Sequence, residues 1–399
     1  MIGRHSNDSK AAGGMKAIEN GIILTPDGPL AGHSLVFDDK VRGIVPGPAP
    51  GSIKSVDARG LYVSPGLIDL HVHGYLGEDV SDGSARGIRR IAEGLVQNGV
   101  TAFLPTTMTL PWEEIERAFD VARDLRTKSR KALFPGSEIL GVHAEGPFLN
   151  PGRKGAQPGR HIQPPDAGRM LAHKDIVRIV TMAPEVPGGF DFIRAVAGQS
   201  SIVVSIGHTD ASFEEAMAAI EAGASYITHT FNAMTGLHHR NPGVVGAALT
   251  RDVVCELIAD TFHVHPGLFA LLYRAKGERL VLVTDCTRAG GLGDGDYTLG
   301  GQAIHVAGVE SRLADGTIAG SVLKLNQAVL NFSAHTGIPL HEAIVYASRN
   351  AAKAIGEKAK GSLEVGNDAD IALFDNGMRA HACFVRGQLK FGEVGAHGQ

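Results

Sequence analysis

The chain has 399 residues, and its 38 Lys+Arg against 42 Asp+Glu leave a formal net charge of −4. That length suits one large domain plus a smaller one, and a near-even charge balance with no dominant basic patch argues against nucleic-acid and membrane partners. Three widely spaced cysteines, Cys255, Cys286 and Cys383, with no CxxC predict a reduced, cytoplasmic setting, and without an 18-residue apolar run no transmembrane helix is expected.

In chain order, residues 1–14 are polar, lack the apolar stretch of a signal peptide, and read as a disordered leader or tag remnant. Residues 15–66 read as short β-strands split by turns, among them Gly21-Ile-Ile-Leu-Thr25, Ser34-Leu-Val-Phe37 and Val41-Arg-Gly-Ile-Val45. Residues 358–399 have the same texture, in Asp370-Ile-Ala-Leu-Phe374 and Ala382-Cys-Phe-Val385. Two β-rich flanks around a long middle predict one small β-sandwich domain built from both chain ends.

The middle, residues 67–357, alternates apolar strands with amphipathic helices. Strands are predicted at 67–73, 101–106, 139–145, 178–183, 202–208, 226–229, 253–259 and 280–285, with helices at 84–97, 112–128, 212–222 and 265–275 between them. Near-continuous apolar strands argue for a parallel sheet buried on both faces. Eight β/α units predict an α/β chain with a (β/α)₈ TIM-like barrel, whose active site would sit at the C-terminal ends of the strands. Residues 321–356 read as two further helices.

The chemistry gathers at those strand ends. His71 and His73 are two apart on a strand, so both rings face the same side. Glu145, His208 and His229 close later runs. Imidazole and carboxylate donors in this pattern suit Zn²⁺ or Fe²⁺, as one ion or two. Glu145 also reads as a salt-bridge partner and each lone His as an interior residue; their matching positions at strand ends favour ligation. His143 is expected to pack or hydrogen-bond behind the ligands. Asp285, after Leu280-Val-Leu-Val-Thr284, reads either as an N-cap or as a general base that then acts as general acid, with the metal activating water so that no Ser or Cys nucleophile is required. Cys286 is expected to point away. Arg240, in a turn-rich loop, reads as an anion clamp or a solvated surface residue, with the backbone amides of Asn232 and Ala233 as further donors. No P-loop or GxGxxG is present, which argues against a nucleotide cofactor.

Taken together, Pro65-Gly-Leu-Ile-Asp-Leu-His-Val-His-Gly74, Glu145-Gly-Pro-Phe148, Lys154-Gly-Ala-Gln157, His229-Thr-Phe-Asn-Ala-Met234, Arg240-Asn-Pro-Gly243, Ile258-Ala-Asp-Thr-Phe-His263, Thr284-Asp285 and Ala319-Gly-Ser321 resemble the N-acetylglucosamine-6-phosphate deacetylase family of the amidohydrolase superfamily. The resemblance spans about residues 15–390. It implies that Glu145, His208 and His229 hold a primary metal and that His71 and His73 complete a second site, with Asp285 as the catalytic Asp. It implies substrate contacts from Ala156, Gln157, Asn232, Ala233, Arg240, His263, Ile318, Ala319 and Gly320, a phosphorylated N-acetylated amino sugar as substrate, and a homodimer in which Arg240 reaches the neighbouring site. Gln157 stands where some members carry His, Asn241 replaces a frequent Glu, Thr261 a frequent Gly and Cys286 a frequent Ala. The galacto epimer of the substrate remains an open alternative, as does a cyclic-amidase or dipeptidase activity.

Overall fold

Each apolar run of the middle segment forms a strand: β1 (Leu67–Val72), β2 (Val100–Thr107), β3 (Val142–Glu145), β4 (Val177–Met182), β5 (Val203–Ile206), β6 (Tyr226–Ile227), β7 (Val254–Ile258) and β8 (Leu280–Val283). The structure is a computed structural model that describes residues 14–393 and 396–397; the leader expected at 1–14 therefore lies almost wholly outside the described residues. Consecutive strands pair in parallel. β8 returns to β1 where the Asp285 N–H donates to His71 O and the His73 N–H to Cys286 O, each at 2.8 Å. β1, β2, β7 and β8 are buried along their whole length, as strands covered on both faces must be.

The helices between strands carry their own start signals. Ser84 Oγ accepts the Gly87 N–H at 3.1 Å ahead of the helix Ala85–Leu95, and Ser212 forms a capping box with Glu215 ahead of Phe213–Ala222. Their apolar faces pack on the barrel; Ile88, Ile91 and Leu95 are buried, as are Ile115, Phe119 and Leu125 of Trp112–Ser129.

Three sequence expectations change. β5, β6 and β8 end before His208, His229 and Asp285, because those residues turn into the left-handed region at φ +48°, +30° and +51°, where an extended strand cannot continue. The two helices expected over 321–356 are Leu325–Thr336 followed by a broken run, Leu340–Ala343, a 3₁₀ turn at Ile344–Ala347, and Arg349–Ala354; Ser348, at φ −137° and ψ −85°, interrupts the second. Finally, a three-stranded antiparallel sheet, Gly295–Leu299, Gln302–Ala307 and Glu310–Leu313, follows β8. The alternating exposure of Gln302–Ala307 is the period-2 signature that would have announced it.

The chain ends form the expected sandwich. Its five-stranded sheet holds Lys16–Glu19, His33–Phe37, Val41–Pro46, Lys54–Asp57 and Ala396–His397; its six-stranded sheet holds Ile22–Thr25, Gly28–Leu30, Tyr62–Pro65, Ile371–Phe374, Ala380–Val385 and Gln388–Phe391. N- and C-terminal segments join directly where Tyr62–Pro65 pairs antiparallel with Ile371–Phe374. Leu35 and Phe37 of one sheet meet Ile371 and Phe384 of the other in a separate small core, with the Phe37 and Phe384 rings edge to face at 5.4 Å. The sandwich docks at the N-terminal ends of the barrel strands. Gly99, at φ +78° just before β2, lies against Phe374, and a Cβ there would come within 2.2 Å of that ring. The C-terminal mouth of the barrel is left open. No helix among the described residues is long and apolar enough to cross a membrane.

Candidate metal centre and substrate cavity

Five strand ends converge on the mouth. His71 lies within β1 and His73 just beyond it, and their Nε2 atoms are 3.3 Å apart. Glu145 ends β3. His208, His229 and Asp285 follow β5, β6 and β8. Gly207 permits the approach beside His208, since a Cβ there would fall 2.8 Å from Thr181 Cγ2. Six of the ten described non-glycine residues at positive φ (His208, His229, Phe231, Ala233, Thr261 and Asp285) lie in the segments following β5, β6, β7 and β8. Such conformations cost of order 1–3 kcal/mol each and persist where surrounding structure enforces them, typically at functional sites.

The donor atoms form two overlapping groups. In the first, Glu145 Oε1 is 3.3 Å from His208 Nε2 and 3.1 Å from His229 Nε2, and the two nitrogens are 3.1 Å apart. In the second, His73 Nε2 lies 3.2 Å from both Glu145 Oε2 and Asp285 Oδ1, while His71 Nε2 lies 3.4 Å from Glu145 Oε1 and 3.5 Å from Asp285 Oδ1. Tetrahedral donors about 2.0–2.1 Å from a Zn²⁺-sized ion sit roughly 3.3 Å apart, so the first triangle matches one face of such a tetrahedron.

The protonation pattern makes the same demand. His208 Nδ1 faces Arg153 O at 3.0 Å, His73 Nδ1 faces Thr106 O at 3.2 Å, and His71 Nδ1 faces Glu256 Oε2 at 2.9 Å. Each partner can only accept, so each Nδ1 donates, and in the neutral ring Nε2 is left as a lone pair aimed at carboxylates. Lone pairs facing lone pairs in a buried site require a cation. Without a metal, protons supply it. Burial works to lower His73, but Asp285 and Glu145 lift it to about 9. Burial is likewise outweighed at His71 by Glu256, Glu145 and Asp285, which raise it well above its ordinary value. A divalent ion provides the same charge and displaces those protons. Asp285 is ionised: burial works to raise it, but His71 and His73 hold it at about 2.

Other expected residues fall as follows. His143 is buried behind His71, with Nδ1 donating to Leu70 O at 3.1 Å and Nε2 2.7 Å from Thr181 Oγ1; burial and the adjacent His71 push it down to about 3, so the ring stays neutral. Cys286 is buried beside Gly290, and burial raises its thiol well above the usual range. A cavity of about 350 Å³ opens over the donors, lined among others by His73, Glu145, Ala156, Gln157, His208, His229, Asn232, Ala233, His263, Asp285, Ile318 and Gly320. Gln157 is wedged between Thr109, whose N–H donates to its Oε1 at 2.7 Å, and Glu145, whose Oε2 accepts from its Nε2. His263 is paired with Asp260 at 2.6 Å. Ala319 is buried beneath the cavity rim, bonded to Ser311 through both its N–H and its O. The Asn232 amide donates to His229 O at 2.9 Å and is not available as an anion donor, whereas Ala233 presents its N–H without an acceptor among the described residues. Arg240 is exposed, lies outside the lining of this cavity, and contacts His239 Nε2 at 2.7 Å.

Two buried carboxylates escaped sequence reasoning. Asp69 accepts from Thr284 Oγ1 at 2.6 Å, tying β1 to the end of β8; burial first of all raises it to about 7. Glu256, wholly buried in β7, accepts from His71 Nδ1 and from the His229 N–H. The signal for each was a lone acidic residue inside an apolar strand, Leu67-Ile-Asp-Leu70 and Val254-Cys-Glu-Leu-Ile258, where an ionisable group is rarely buried without a partner.

Fold and site together define a barrel hydrolase whose His and Glu groups suit a divalent metal. Residues 62–391 match the amidohydrolase family, and the chain belongs to that family. It is 41% identical to the N-acetylglucosamine-6-phosphate deacetylase of Bacillus subtilis (strain 168), over 82% of this chain and 84% of that one. It is 38% identical to the N-acetylgalactosamine-6-phosphate deacetylase of Escherichia coli O157:H7, over 92% and 97%. It also superposes, with a TM-score of 0.86 and 30% identity over 95% of this chain and 100% of that one, on a variant N-acetyl-D-glucosamine-6-phosphate deacetylase from Mycobacterium smegmatis in complex with N-acetyl-D-glucosamine-6-phosphate.

Proposed function

We propose that this chain hydrolyses the amide of N-acetyl-D-glucosamine 6-phosphate, releasing acetate and D-glucosamine 6-phosphate in amino-sugar catabolism or cell-wall recycling. The observation that carries the reading is the placement of an ionised Asp285 3.2 Å from His73, on the same cavity wall as Glu145, His208 and His229. Glu145, His208 and His229 would hold the primary metal and His71 and His73 a second, with Zn²⁺ favoured by the donor set and Fe²⁺ the alternative. When bound, a divalent ion polarises the amide carbonyl and brings water to nucleophilic strength near neutral pH. Asp285 accepts the proton of the attacking water as the carbonyl carbon becomes tetrahedral, then delivers it to the amine nitrogen as the C–N bond breaks. Gln157 holds the Glu145 carboxylate in place, and Ala156, Asn232, Ala233, His263, Ile318, Ala319 and Gly320 shape the sugar-phosphate site.

Arg240, exposed in its own subunit, is assigned to the phosphate of a neighbouring subunit's substrate, which makes the active form a homodimer. Free, buried cysteines favour a reducing cytoplasm.

The test is acetate release by metal-loaded protein from N-acetylglucosamine 6-phosphate, its galacto epimer and unphosphorylated N-acetylglucosamine. Preference for the first supports the reading. Preference for the epimer, the substrate class named for the Escherichia coli relative, keeps the mechanism and moves the specificity. No turnover of any of them by a metal-loaded protein sinks the substrate assignment.

A further inference from the structure

Glu256 has no place in the reaction just described, yet from behind the donor set its carboxylate reaches residues of both groups. It is wholly buried on the middle of β7. One oxygen, Oε2, accepts from His71 Nδ1 at 2.9 Å and from the His229 main-chain N–H at 2.8 Å. His71 belongs to the donor group with His73; His229 belongs to the group with Glu145 and His208. The first bond dictates the His71 tautomer, leaving Nε2 bare on the cavity side and making the ring a stronger donor, as a carboxylate behind a ligating imidazole does. The second pins the backbone of His229, held at φ +30°, a conformation that a β-strand would not supply unaided. The neighbouring His143 offers no substitute, since both of its ring nitrogens are engaged by Leu70 and Thr181.

We infer that Glu256 is a positioning residue that couples the two metal positions, aiming His71 through its ring and His229 through its backbone, so that loading of both depends on one buried carboxylate. The inference rests on the metal reading given above. It separates the two bonds by chemistry. In Glu256→Gln the amide oxygen still accepts both N–H groups, but the negative charge behind His71 is gone. In Glu256→Leu both bonds are lost.

The experiment is cobalt(II) binding to the chelated full-length protein. It reads ions per subunit, the affinity of each by competition with a chelator, and the visible absorption of bound cobalt, with melting temperatures of the metal-free proteins as the control for folding. Glu256→Gln is expected to weaken the ion at His71 and His73 about tenfold while leaving the ion at Glu145, His208 and His229 within a few-fold of wild type. Glu256→Leu is expected to weaken both, by about 10–100-fold, and to change the cobalt spectrum. Wild-type affinities and spectra in both variants, or losses that merely track a fall in the metal-free melting temperature, would overturn the coupling. A wild-type protein that takes up no cobalt would overturn the metal reading itself, a failure distinguishable from the first because it appears before any substitution.

Discussion

Two clusters of buried charge occupy opposite ends of the barrel, and they are neutralised in different ways. At the base, Lys360 Nζ lies 2.8 Å from Glu138, 2.9 Å from Asp368 and 2.7 Å from Asp370. Arg386 and Lys40 add contacts to Asp368 at 2.8 and 2.6 Å. Arg130 lies 3.4 Å from Glu138, so four cations meet three carboxylates, and the result fastens the sandwich to the barrel. At the mouth, the ionic partners of Glu145, Asp285 and Glu256 among the described residues are imidazoles, with no Lys or Arg, and the imidazole lone pairs face the same centre as the Glu145 and Asp285 carboxylates. Glu138 and Glu145 sit on one stretch of chain leading through β3, so a single segment serves both ends. The base carries its own counter-charge and is complete on folding. The mouth needs a cation from outside, and that requirement makes it a site rather than a staple.

The comparison breaks most visibly on metal removal. Chelation is expected to abolish acetate release and to lower the melting temperature, since an ion present at a thousand times its Kd stabilises the folded chain by about 4 kcal/mol. Restoring Zn²⁺ or Fe²⁺ should return both, as assay and calorimetry would show; full activity after exhaustive chelation would contradict the assignment of the mouth. Next, Asp285→Asn is expected to lower kcat by about 10²–10⁴-fold, the usual range for a lost acid–base group, with the ion at Glu145, His208 and His229 still bound by elemental analysis.

At the base, Lys360→Met leaves three carboxylates with less positive charge, and breaking such a buried cluster costs about 3–5 kcal/mol. Denaturant unfolding should show that loss while kcat stays near wild type. The loss depends on pH. Burial works to raise Asp368, but Lys360, Lys40 and Arg386 hold it below its ordinary value. Its stabilisation is therefore present above the unfolded carboxylate pKa of about 3.9 and disappears as pH falls through the folded value. Lys360 is raised, its three carboxylates overcoming burial, so its contribution persists up to the unfolded Lys value of about 10.4 and is lost only as pH rises through the folded one. Asp370, raised chiefly by burial, trims the gain near neutrality. The gap between wild type and Lys360→Met should be widest between about pH 5 and pH 9 and should close below about pH 4; a gap that did not vary with pH would assign the effect to lost packing. The smallest effect sharpens the contrast. Thr284→Val removes the 2.6 Å bond to Asp69 and is expected to cost about 1–3 kcal/mol, with metal stoichiometry unchanged.

Much of this molecule is written in local pattern. Apolar runs, turn signals and helix periods are properties of neighbouring residues, and they placed all eight barrel strands and the chain-end sandwich. The strand-end positions of Glu145, His208, His229 and Asp285 could be read the same way. Tertiary structure decided what those residues meet. Only closure of β8 on β1 brings Asp285 to His73, across more than two hundred residues, and only the barrel interior shows that Glu256 and Asp69 are partnered carboxylates rather than misplaced ones. Left-handed turns at His208, His229 and Asp285, the break at Ser348 and the exposure of Arg240 likewise come from packing. A sequence specifies which residues can donate, accept or bury themselves; which of them share one buried centre depends on contacts between distant segments, which exist only once the chain has closed on itself.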